Sequence, residues 1–145
     1  MLKGSLPEVF LDTDVSFDIL SKREPHFEYS VQLLELAVKD RISLLLAESS
    51  LANLIYLSFD IYKIDSAEEK LIDFIRASTV ISGGKPVMLK ALKSSFKDKE
   101  EALQYYTAQY HQADYFITRN IKDYKPHAGF LPVMTPSEFM NSIEN

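Results

Sequence analysis

The sequence Val9-Phe10-Leu11-Asp12-Thr13-Asp14-Val15 is a short apolar run that stops abruptly at two carboxylates. We interpret it as a first strand followed at once by a turn and a helix, which places Asp12 at the carboxyl end of the strand. Open α/β sheets build their sites at the carboxyl ends of their strands. The stretch therefore raises one question for the rest of the chain, namely whether other carboxylates reach the same edge of the sheet.

The composition is that of an ordinary globular protein. Of the 145 residues, 46% are hydrophobic and 26% are charged, and a chain of this length can bury most of its unfolded surface. We therefore expect a single domain over residues 1–145. Cysteine is absent, which excludes disulfides and thiolate metal sites and agrees with a reducing compartment.

The sequence predicts a cytoplasmic protein without membrane contact. Residues Met1–Ser5 lack the apolar core of a signal peptide, and no run approaches the roughly 18 apolar residues of a membrane span. The formal net charge is −5 and the pI is near 5.2. This charge argues against a protein that coats nucleic acid, since such binding needs many lysine and arginine contacts to phosphate. It is compatible with an enzyme that reaches phosphates through bound cations.

Strands and helices alternate along the chain, a pattern that predicts an α/β fold whose parallel sheet carries helices on both faces. After the first strand, apolar runs predict strands at 42–47, 79–81, 113–118 and 131–134, the last an edge strand because it contains a proline. Apolar periodicity and helix-start signals predict helices at 16–20, 28–39, 51–63, 65–76, 87–92 and 99–113, and a final helix capped by Thr135.

The predicted helix at 51–63 is unusual because it has almost no polar face. A helix of this kind is either buried at the centre of a protein or part of an interface. We favour an interface, which predicts a homodimer or a higher oligomer. Ser49 or Ser50 can cap the start of this helix.

Two further helices carry predictions about which residues they bury. In the helix at 87–92, Leu89 and Leu92 are expected to point inward. The helix at 99–113 is expected to bury an apolar stripe that consists of Ala102, Leu103, Tyr106, Tyr110 and Ala113.

Four carboxylates can converge at the carboxyl edge of the predicted sheet. Asp12 and Asp123 follow predicted strands, and Asp98 and Glu101 lie three residues apart at a helix start, so that one helical turn presents both. Hard cations such as Mg²⁺ and Mn²⁺ take oxygen ligands. A metal held there can activate water and stabilise the charge on a phosphodiester under attack. The four carboxylates and a bound metal would together support hydrolysis of a nucleic-acid backbone.

Each of these acids also has a purely structural interpretation. Asp12 and Asp98 can cap helices, Glu101 can interact with a helix dipole, and Asp123 can be a solvated loop residue. The residues alone leave both interpretations open.

Three stretches, taken in order, resemble motifs of the PIN domain family, small α/β metal-dependent nucleases that include the VapC-like ribonuclease toxins of bacterial toxin–antitoxin pairs. Phe10–Val15 resembles the opening motif, Asp98–Gln104 the acidic entry to the central helix, and Ile117–Tyr124 the motif at the fourth strand. The resemblance implies a three-layer α/β/α fold with a parallel sheet of about five strands. It also implies an endoribonuclease that uses Mg²⁺ or Mn²⁺ on single-stranded RNA, and an antitoxin protein that inserts a segment into the acidic crevice.

The resemblance implies roles for individual residues. The expected metal ligands are Asp12, Asp14, Asp98, Glu101 and Asp123, and the expected catalytic residues are Asp12, Asp98, Glu101, Asp123 and Asn120. Within these sets Asp98 and Asp14 would assist the other ligands, and Asn120 would orient water or a ligand.

Four positions depart from the usual family pattern. Asp14 stands where Asn is usual and Glu101 where Asp is usual, and these changes keep or add oxygen ligands. Asn53 stands where a Glu is common and Asn120 where many relatives carry Asp, and these changes remove charge. The two asparagines favour an alternative function, a catalytically weakened or inactive PIN-like module that binds RNA or a protein partner.

Arg119 and Lys122 are candidates for RNA contact because they flank the acid that follows the fourth strand. Positive side chains at this place can hold phosphates and offset the acidic charge of the whole chain locally. Solvated loop charge is the equal alternative for both residues.

Overall fold

The computed structural model describes residues 5–143, and within them a parallel sheet lies between two layers of helices. The strands are β1 (Glu8–Leu11), β2 (Ser43–Ala47), β3 (Ser78–Ile81), β4 (Tyr115–Ile117) and β5 (Val133–Met134). The helices are α1 (Thr13–Ser21), α2 (Phe27–Val38), α3 (Glu48–Ile55), α4 (Ala67–Arg76), α5 (Gly84–Lys93), α6 (Lys99–Tyr110), α7 (Ile121–Tyr124) and α8 (Pro136–Ile143). A π-helical segment, Tyr56–Ile61, continues α3, and a 3₁₀ turn, Lys125–His127, continues α7.

Two predictions concern residues outside 5–143. They are a single domain over residues 1–145 and an N-terminus without a signal peptide. Residues 1–4 and 144–145 lie outside the described residues. Within residues 5–143, no helix has both the length and the apolar character needed to cross a membrane.

The strands follow the order β3-β2-β1-β4-β5, and every neighbouring pair is parallel. In the central strand β1, Phe10 pairs with Leu45 of β2 on one side and with Phe116 of β4 on the other. Because all five strands point the same way, their carboxyl ends lie at one edge of the sheet. The predicted three-layer α/β/α fold with its parallel sheet is confirmed.

Alternating side chains of β1 supply the two hydrophobic cores. Val9 and Leu11 join the core on the side of α1, α2, α4 and α8. Phe10 joins the core on the other side, which α5 and α6 cover. All three side chains are fully buried, and burying a side chain of this size contributes about 1.5–3 kcal/mol to folding. The strand therefore fixes both layers of helices to the sheet.

The chain after β2 differs from its prediction in two ways. Helix α3 begins directly at Glu48, with Ala47 at its N-cap and no side-chain cap, so the predicted cap by Ser49 or Ser50 is wrong. The apolar residues that follow are not at the centre of the protein: Ile55, Tyr56, Phe59, Ile61 and Tyr62 are 43–57% exposed. The alternative that this apolar segment is buried at the centre of the protein is therefore wrong. Its role in an interface between copies of the chain stays a prediction.

The buried faces of α5 and α6 also differ from their predictions. In α5, Val87 and Ala91 are buried, whereas Leu89 and Leu92 are 45% and 63% exposed. The buried positions of α6 are Ala102, Gln104, Tyr105, Thr107 and Ala108. Of the predicted stripe in α6, Ala102 is buried, Leu103, Tyr106 and Ala113 are partly buried, and Tyr110 is 62% exposed.

The last helix begins as its sequence predicts. The Thr135 hydroxyl accepts a hydrogen bond from the Glu138 backbone N–H at 3.1 Å. The Glu138 carboxylate in turn accepts one from the Thr135 backbone N–H at 2.9 Å, and Pro136 is the first residue of α8. This reciprocal capping box satisfies two backbone donors that the helix itself leaves without partners. The polar sequence of residues 119–124 predicts a turn after the fourth strand, but the structure has the short helix α7 at Ile121–Tyr124.

Candidate active site

Asp12 directly follows the central strand and is 3% exposed. Its side chain accepts a hydrogen bond from the Val15 backbone N–H at 2.9 Å, which caps α1. The Thr118 hydroxyl, at the end of β4, donates a second hydrogen bond to the same carboxylate. Residues from the ends of two adjacent strands thus orient this carboxylate at the carboxyl edge of the sheet.

The first turn of α6 brings two more carboxylates to this edge. The Asp98 carboxylate accepts hydrogen bonds from the backbone N–H groups of Glu100 and Glu101, at 2.9 and 3.1 Å, and so caps the helix. The Glu101 carboxyl lies against Asp123 of α7, whose side chain and charge both raise the pKa of Glu101. Two carboxylates this close repel each other when both are charged.

Two adjoining cavities contain all five predicted metal ligands, and we call them together the acidic crevice. The smaller cavity has a volume of about 110 Å³ and is lined by Asp12, Asp14, Asp98 and Glu101, among others. The larger has a volume of about 360 Å³ and is lined by Asp98, Glu101 and Asp123, with Lys122 at its wall. Asp98 and Glu101 belong to both cavities. Acids from three separate parts of the chain, the start of α1, the start of α6 and α7, therefore meet in one place.

The crevice changes the acidity of two of its carboxyls. Burial raises the pKa of Asp12 from 3.8 to about 7, against the hydrogen bonds from Thr118 and Val15, which lower it. Burial, followed by the hydrogen bond and the charge of Asp123, raises the pKa of Glu101 from 4.5 to about 8. Both shifts mean that the protonated form is favoured where negative groups are crowded and water is partly excluded.

Comparison with known sequences assigns the family. Residues 8–122 match the sequence profile of PIN domains. The chain belongs to the PIN domain family. It is also 27% identical over 137 residues to ribonuclease VapC1 of Aquifex aeolicus, an alignment that covers 91% of this chain and 92% of that protein. The predicted resemblance to VapC-like PIN domains is thereby confirmed.

Solved structures of similar fold agree with this family. VapBC2 from Rickettsia felis, bound to a DNA fragment from its promoter, has 19% identity and a TM-score of 0.65 over 87% of this chain and 96% of that chain. A toxin–antitoxin complex from Klebsiella pneumoniae has 22% identity and a TM-score of 0.64 over 88% and 97%. DNA-bound VapBC from Salmonella typhimurium has 13% identity and a TM-score of 0.69 over 90% and 99%. At these identities the likeness concerns the fold.

The oxygen ligands of this PIN domain have the chemistry that a hard divalent cation requires. Among the described residues, those lining the smaller cavity offer carboxylate, amide and hydroxyl oxygens and no imidazole or thiolate, the ligand type that Mg²⁺ and Mn²⁺ prefer. Over residues 5–143, however, no three acidic or histidine side chains already surround one point that could hold an ion. An ion bound in the crevice would therefore need some of these carboxylates to change their orientation.

The two asparagines that depart from the family pattern each contact an acid of the crevice. The Asn120 side-chain amide donates a hydrogen bond to the Asp14 carboxylate at 3.4 Å. The Asn53 amide donates one to the Glu100 carboxylate at 3.2 Å. Asn53 also lines the smaller cavity beside Glu100. The neutral amides thus orient neighbouring carboxylates, although they contribute no charge themselves.

The two candidates for RNA contact occupy different environments. Arg119 is an ion-paired residue and not a solvated loop charge, because its Nε donates to the fully buried Asp18 carboxylate at 2.7 Å. Its side chain keeps 23% of its surface exposed. Lys122 is exposed and lines the larger cavity of the crevice. Phosphate contact by either residue stays a prediction.

Several residues of the crevice were not among the predicted site residues. They are Thr13, Thr118, Glu100, Gln104 and Tyr124. Thr118 follows a buried strand, so the reasoning that selected Asp12 would also have selected it. Gln104 could not be found in this way, because its role comes from a contact between distant parts of the chain. Its side-chain oxygen accepts a hydrogen bond from the Thr13 backbone N–H at 2.9 Å, which ties α6 to the start of α1.

Proposed function

We propose that this PIN domain is a divalent-metal-dependent endoribonuclease that cleaves phosphodiester bonds of single-stranded RNA. The observation that carries the proposal is the convergence of Asp12, Asp98, Glu101 and Asp123 in one crevice at the carboxyl edge of the sheet. The raised pKa values of Asp12 and Glu101 support it, because a cation would relieve the crowding of negative charge that contributes to them. The name of the Aquifex aeolicus relative, ribonuclease VapC1, supports the same reaction and substrate class.

In this proposal Asp12, Glu101 and Asp123 hold the ion, and Asp98 and Asp14 assist. A bound Mg²⁺ or Mn²⁺ supplies the Lewis-acid charge that stabilises a phosphodiester under attack. The hydrogen bonds from Val15 and Thr118 keep the Asp12 carboxylate in a fixed orientation before substrate arrives. Asn120, whose amide contacts the Asp14 carboxylate at 3.4 Å, orients water or a ligand.

We further propose that the protein acts in the cytoplasm as the toxin of a toxin–antitoxin pair. The support is the similarity of its fold to structures described as VapBC and toxin–antitoxin complexes. The partner would be an antitoxin protein that inserts a segment into the acidic crevice. A small adjacent reading frame with a DNA-binding motif would support this role, and co-expression of its product should suppress cleavage.

The test of the proposed reaction compares RNA cleavage by three proteins with Mn²⁺ present. The wild type should cleave single-stranded RNA, and Asp12→Asn should be slower by about 100-fold or more, since the charge of a metal ligand is lost. Asp65→Asn is the matched control, because Asp65 is exposed outside the crevice. Equal rates for the wild type and Asp12→Asn would reject the proposed site.

The alternative function is a non-catalytic PIN module that binds RNA or a protein partner. The neutral side chains of Asn53, which lines the acidic crevice, and of Asn120, which contacts Asp14, favour it, because they leave fewer charges for a cation. Calorimetric titration with Mn²⁺ distinguishes the two functions. Tight stoichiometric binding that Asp12→Asn abolishes would count against the alternative, whereas no binding and no cleavage would support it.

A further inference from the structure

Another cavity lies near the acidic crevice, and the side chains that line it differ in chemistry from those of the crevice. Its volume is about 270 Å³, and its walls come from the start of α2, the end of β4 and the start of α8. The residues that line it are Pro25, His26, Tyr29, Arg119, Thr135, Pro136 and Ser137. We call it the Arg119 cavity. It contains no acidic side chain among the described residues that line it.

Arg119 is the arginine of the Arg119 cavity, and its guanidinium is paired with a carboxylate behind the lining. The buried Asp18 carboxylate accepts from Arg119 at 2.7 Å and lies 3.5 Å from the guanidinium of Arg23. This one buried carboxylate is therefore paired with two guanidinium groups. Glu138, the nearest acid on α8, is engaged in the capping box with the backbone N–H of Thr135.

The other walls of the cavity are suited to a flat ring and a phosphate. Tyr29 is 43% exposed and presents its ring beside the prolines of the lining. Exposed aromatic rings of this kind stack nucleobases without strong preference among them. The hydroxyl oxygens of Thr135 and Ser137, which also line the cavity, lie 3.3 Å apart and can donate to a phosphate oxygen.

The Arg119 cavity is directly connected to the crevice through the chain. Arg119 precedes Asn120, whose amide contacts Asp14 of the crevice at 3.4 Å. Thr118, which precedes Arg119, contacts Asp12. Arg119 is therefore one residue from Thr118 and from Asn120, which contact acids of the crevice, so a strand of RNA with a phosphate in the crevice lies close to the Arg119 cavity.

We propose that the Arg119 cavity binds one nucleotide of single-stranded RNA next to the acidic crevice, with Arg119 at the phosphate and Tyr29 stacked on the base. This inference rests on the proposed ribonuclease function and adds a substrate-binding site to it. In a protein of net charge −5, such a local cation reduces the repulsion between the crevice and the RNA backbone. His26 supplies a second ring at the mouth of the cavity.

The first experiment uses uridine 5′-monophosphate as a probe, which has no internucleotide bond and so cannot be cleaved. Its titration into the wild-type protein should shift the NMR signals of the backbone amides of residues 26–29, 119, 135 and 137. Inorganic phosphate, titrated in parallel, should bind more weakly because it cannot stack on Tyr29. Unchanged signals at these residues with excess nucleotide, or equal binding of phosphate and nucleotide, would overturn the proposal.

Variants of Tyr29 give the second experiment, because the side chain is exposed and its loss should leave the fold intact. Tyr29→Ala should weaken nucleotide binding about tenfold, whereas Tyr29→Phe should retain it, since stacking needs the ring and not the hydroxyl. Tyr110→Ala is the control, because Tyr110 is 62% exposed and lies outside the cavity. Equal binding by Tyr29→Ala and the wild type would reject the stacking role.

RNA cleavage then separates this inference from the proposed function. If the wild type cleaves RNA, Tyr29→Ala should raise KM about tenfold and leave kcat nearly unchanged, because the ring lies away from the reacting phosphate. A fall in kcat with an unchanged KM would contradict a binding role. If the wild type does not cleave RNA, the ribonuclease proposal fails, while the nucleotide titration still decides whether the Arg119 cavity binds nucleotides.

Discussion

Asp12 stabilises the fold and forms part of the acidic crevice through the same carboxylate. Its hydrogen bond to the Val15 backbone N–H caps α1, which is the structural interpretation that the sequence left open. Its position beside Asp14 in the crevice is the functional interpretation. The two interpretations are compatible, because a carboxylate has more than one lone pair to offer. The charged form of Asp12 is unfavourable, because the side chain has almost no contact with water.

The raised pKa of Asp12 predicts how metal-free stability depends on pH. Because the folded state holds the proton up to about pH 7 and the unfolded chain releases it near 3.8, folding loses stability as pH rises between these values. Asp12→Asn removes this loss and keeps an oxygen that can cap α1. In thermal unfolding with a chelator at about pH 8, the variant should melt roughly 3 °C or more above the wild type.

The same measurement at lower pH checks the cause. The difference in melting temperature should shrink as pH falls toward about 4, where the Asp12 carboxyl is protonated in the folded protein and increasingly so in the unfolded chain. Asp65→Asn, at an exposed position, should follow the wild type over the whole range. A variant that melts below the wild type at about pH 8 would show that the loss of the charged cap outweighs the relief of burial.

Divalent ions should make the wild type more stable than Asp12→Asn, which is the reverse of the order expected with chelator. Binding to the folded state alone stabilises a protein by about 2.7 kcal/mol when the free ion is at 100 times its dissociation constant. With Mn²⁺ in such excess, the wild type should melt roughly 5–10 °C higher than with chelator. Asp12→Asn should respond much less, because it lacks one of the proposed ligands. An equal rise for both proteins would place the ion elsewhere.

Among the secondary-structure elements, the strands and their polar ends were predictable, whereas the faces of the helices were not. Apolar β1 followed by Asp12 is a local pattern, so the sequence alone identifies it. In α6, by contrast, Thr107 is buried because its hydroxyl donates to the Leu103 carbonyl at 2.7 Å. Gln104 is buried because it accepts from Thr13. Periodicity assigns polar residues to the surface and cannot anticipate these partners.

The start of α5 depends on the absence of a side chain at Gly83. A Cβ atom built there would lie 2.4 Å from Cγ2 of Val87, which is buried against the core. Gly83→Ala should therefore displace the first turn of α5 and destabilise the protein by roughly 1–3 kcal/mol. Urea unfolding measures the change.

Gly129→Ala is the matched control for the substitution at Gly83. At Gly129 the nearest atom to a built Cβ is the side-chain nitrogen of Gln109 at 3.7 Å, an ordinary contact. The control should stay within about 0.5 kcal/mol of the wild type. If Gly83→Ala is equally well tolerated, the packing of Val87 against this turn is looser than the structure indicates.

At the scale of the whole molecule, the arrangement of charge shows what sequence order could and could not predict. Parallel topology brings Asp12 and Asp123 to one edge, because they follow strands that all end there, whereas Asp98 reaches this edge through the start of α6. The Arg119 cavity was not predictable, since Asp18, Tyr29 and Arg119 come together only through packing of α1, α2 and the end of β4. A protein of net charge −5 thus has an acidic crevice beside a cationic pocket.

The exposed apolar surface after α3 carries the last prediction, self-association. Its members, Ile55, Tyr56, Phe59 and Ile61, are 43–52% exposed, and acidic Asp60 lies among them. A second apolar surface on α5, with Met88, Leu89 and Leu92 exposed, carries lysines and no acid. A second copy of the chain can pair the two surfaces with opposite charges facing each other.

Sedimentation velocity over a wide concentration range should therefore show a dimer or a larger oligomer. Tyr56→Asp should dissociate the oligomer, because the substitution places a charge in the apolar contact and adds a second negative charge near Asp60. Tyr110→Asp is the control, since Tyr110 is an exposed tyrosine on α6 that belongs to neither surface. A wild type that stays monomeric at the highest concentration would remove the prediction, and the exposed residues would then be available to a different partner.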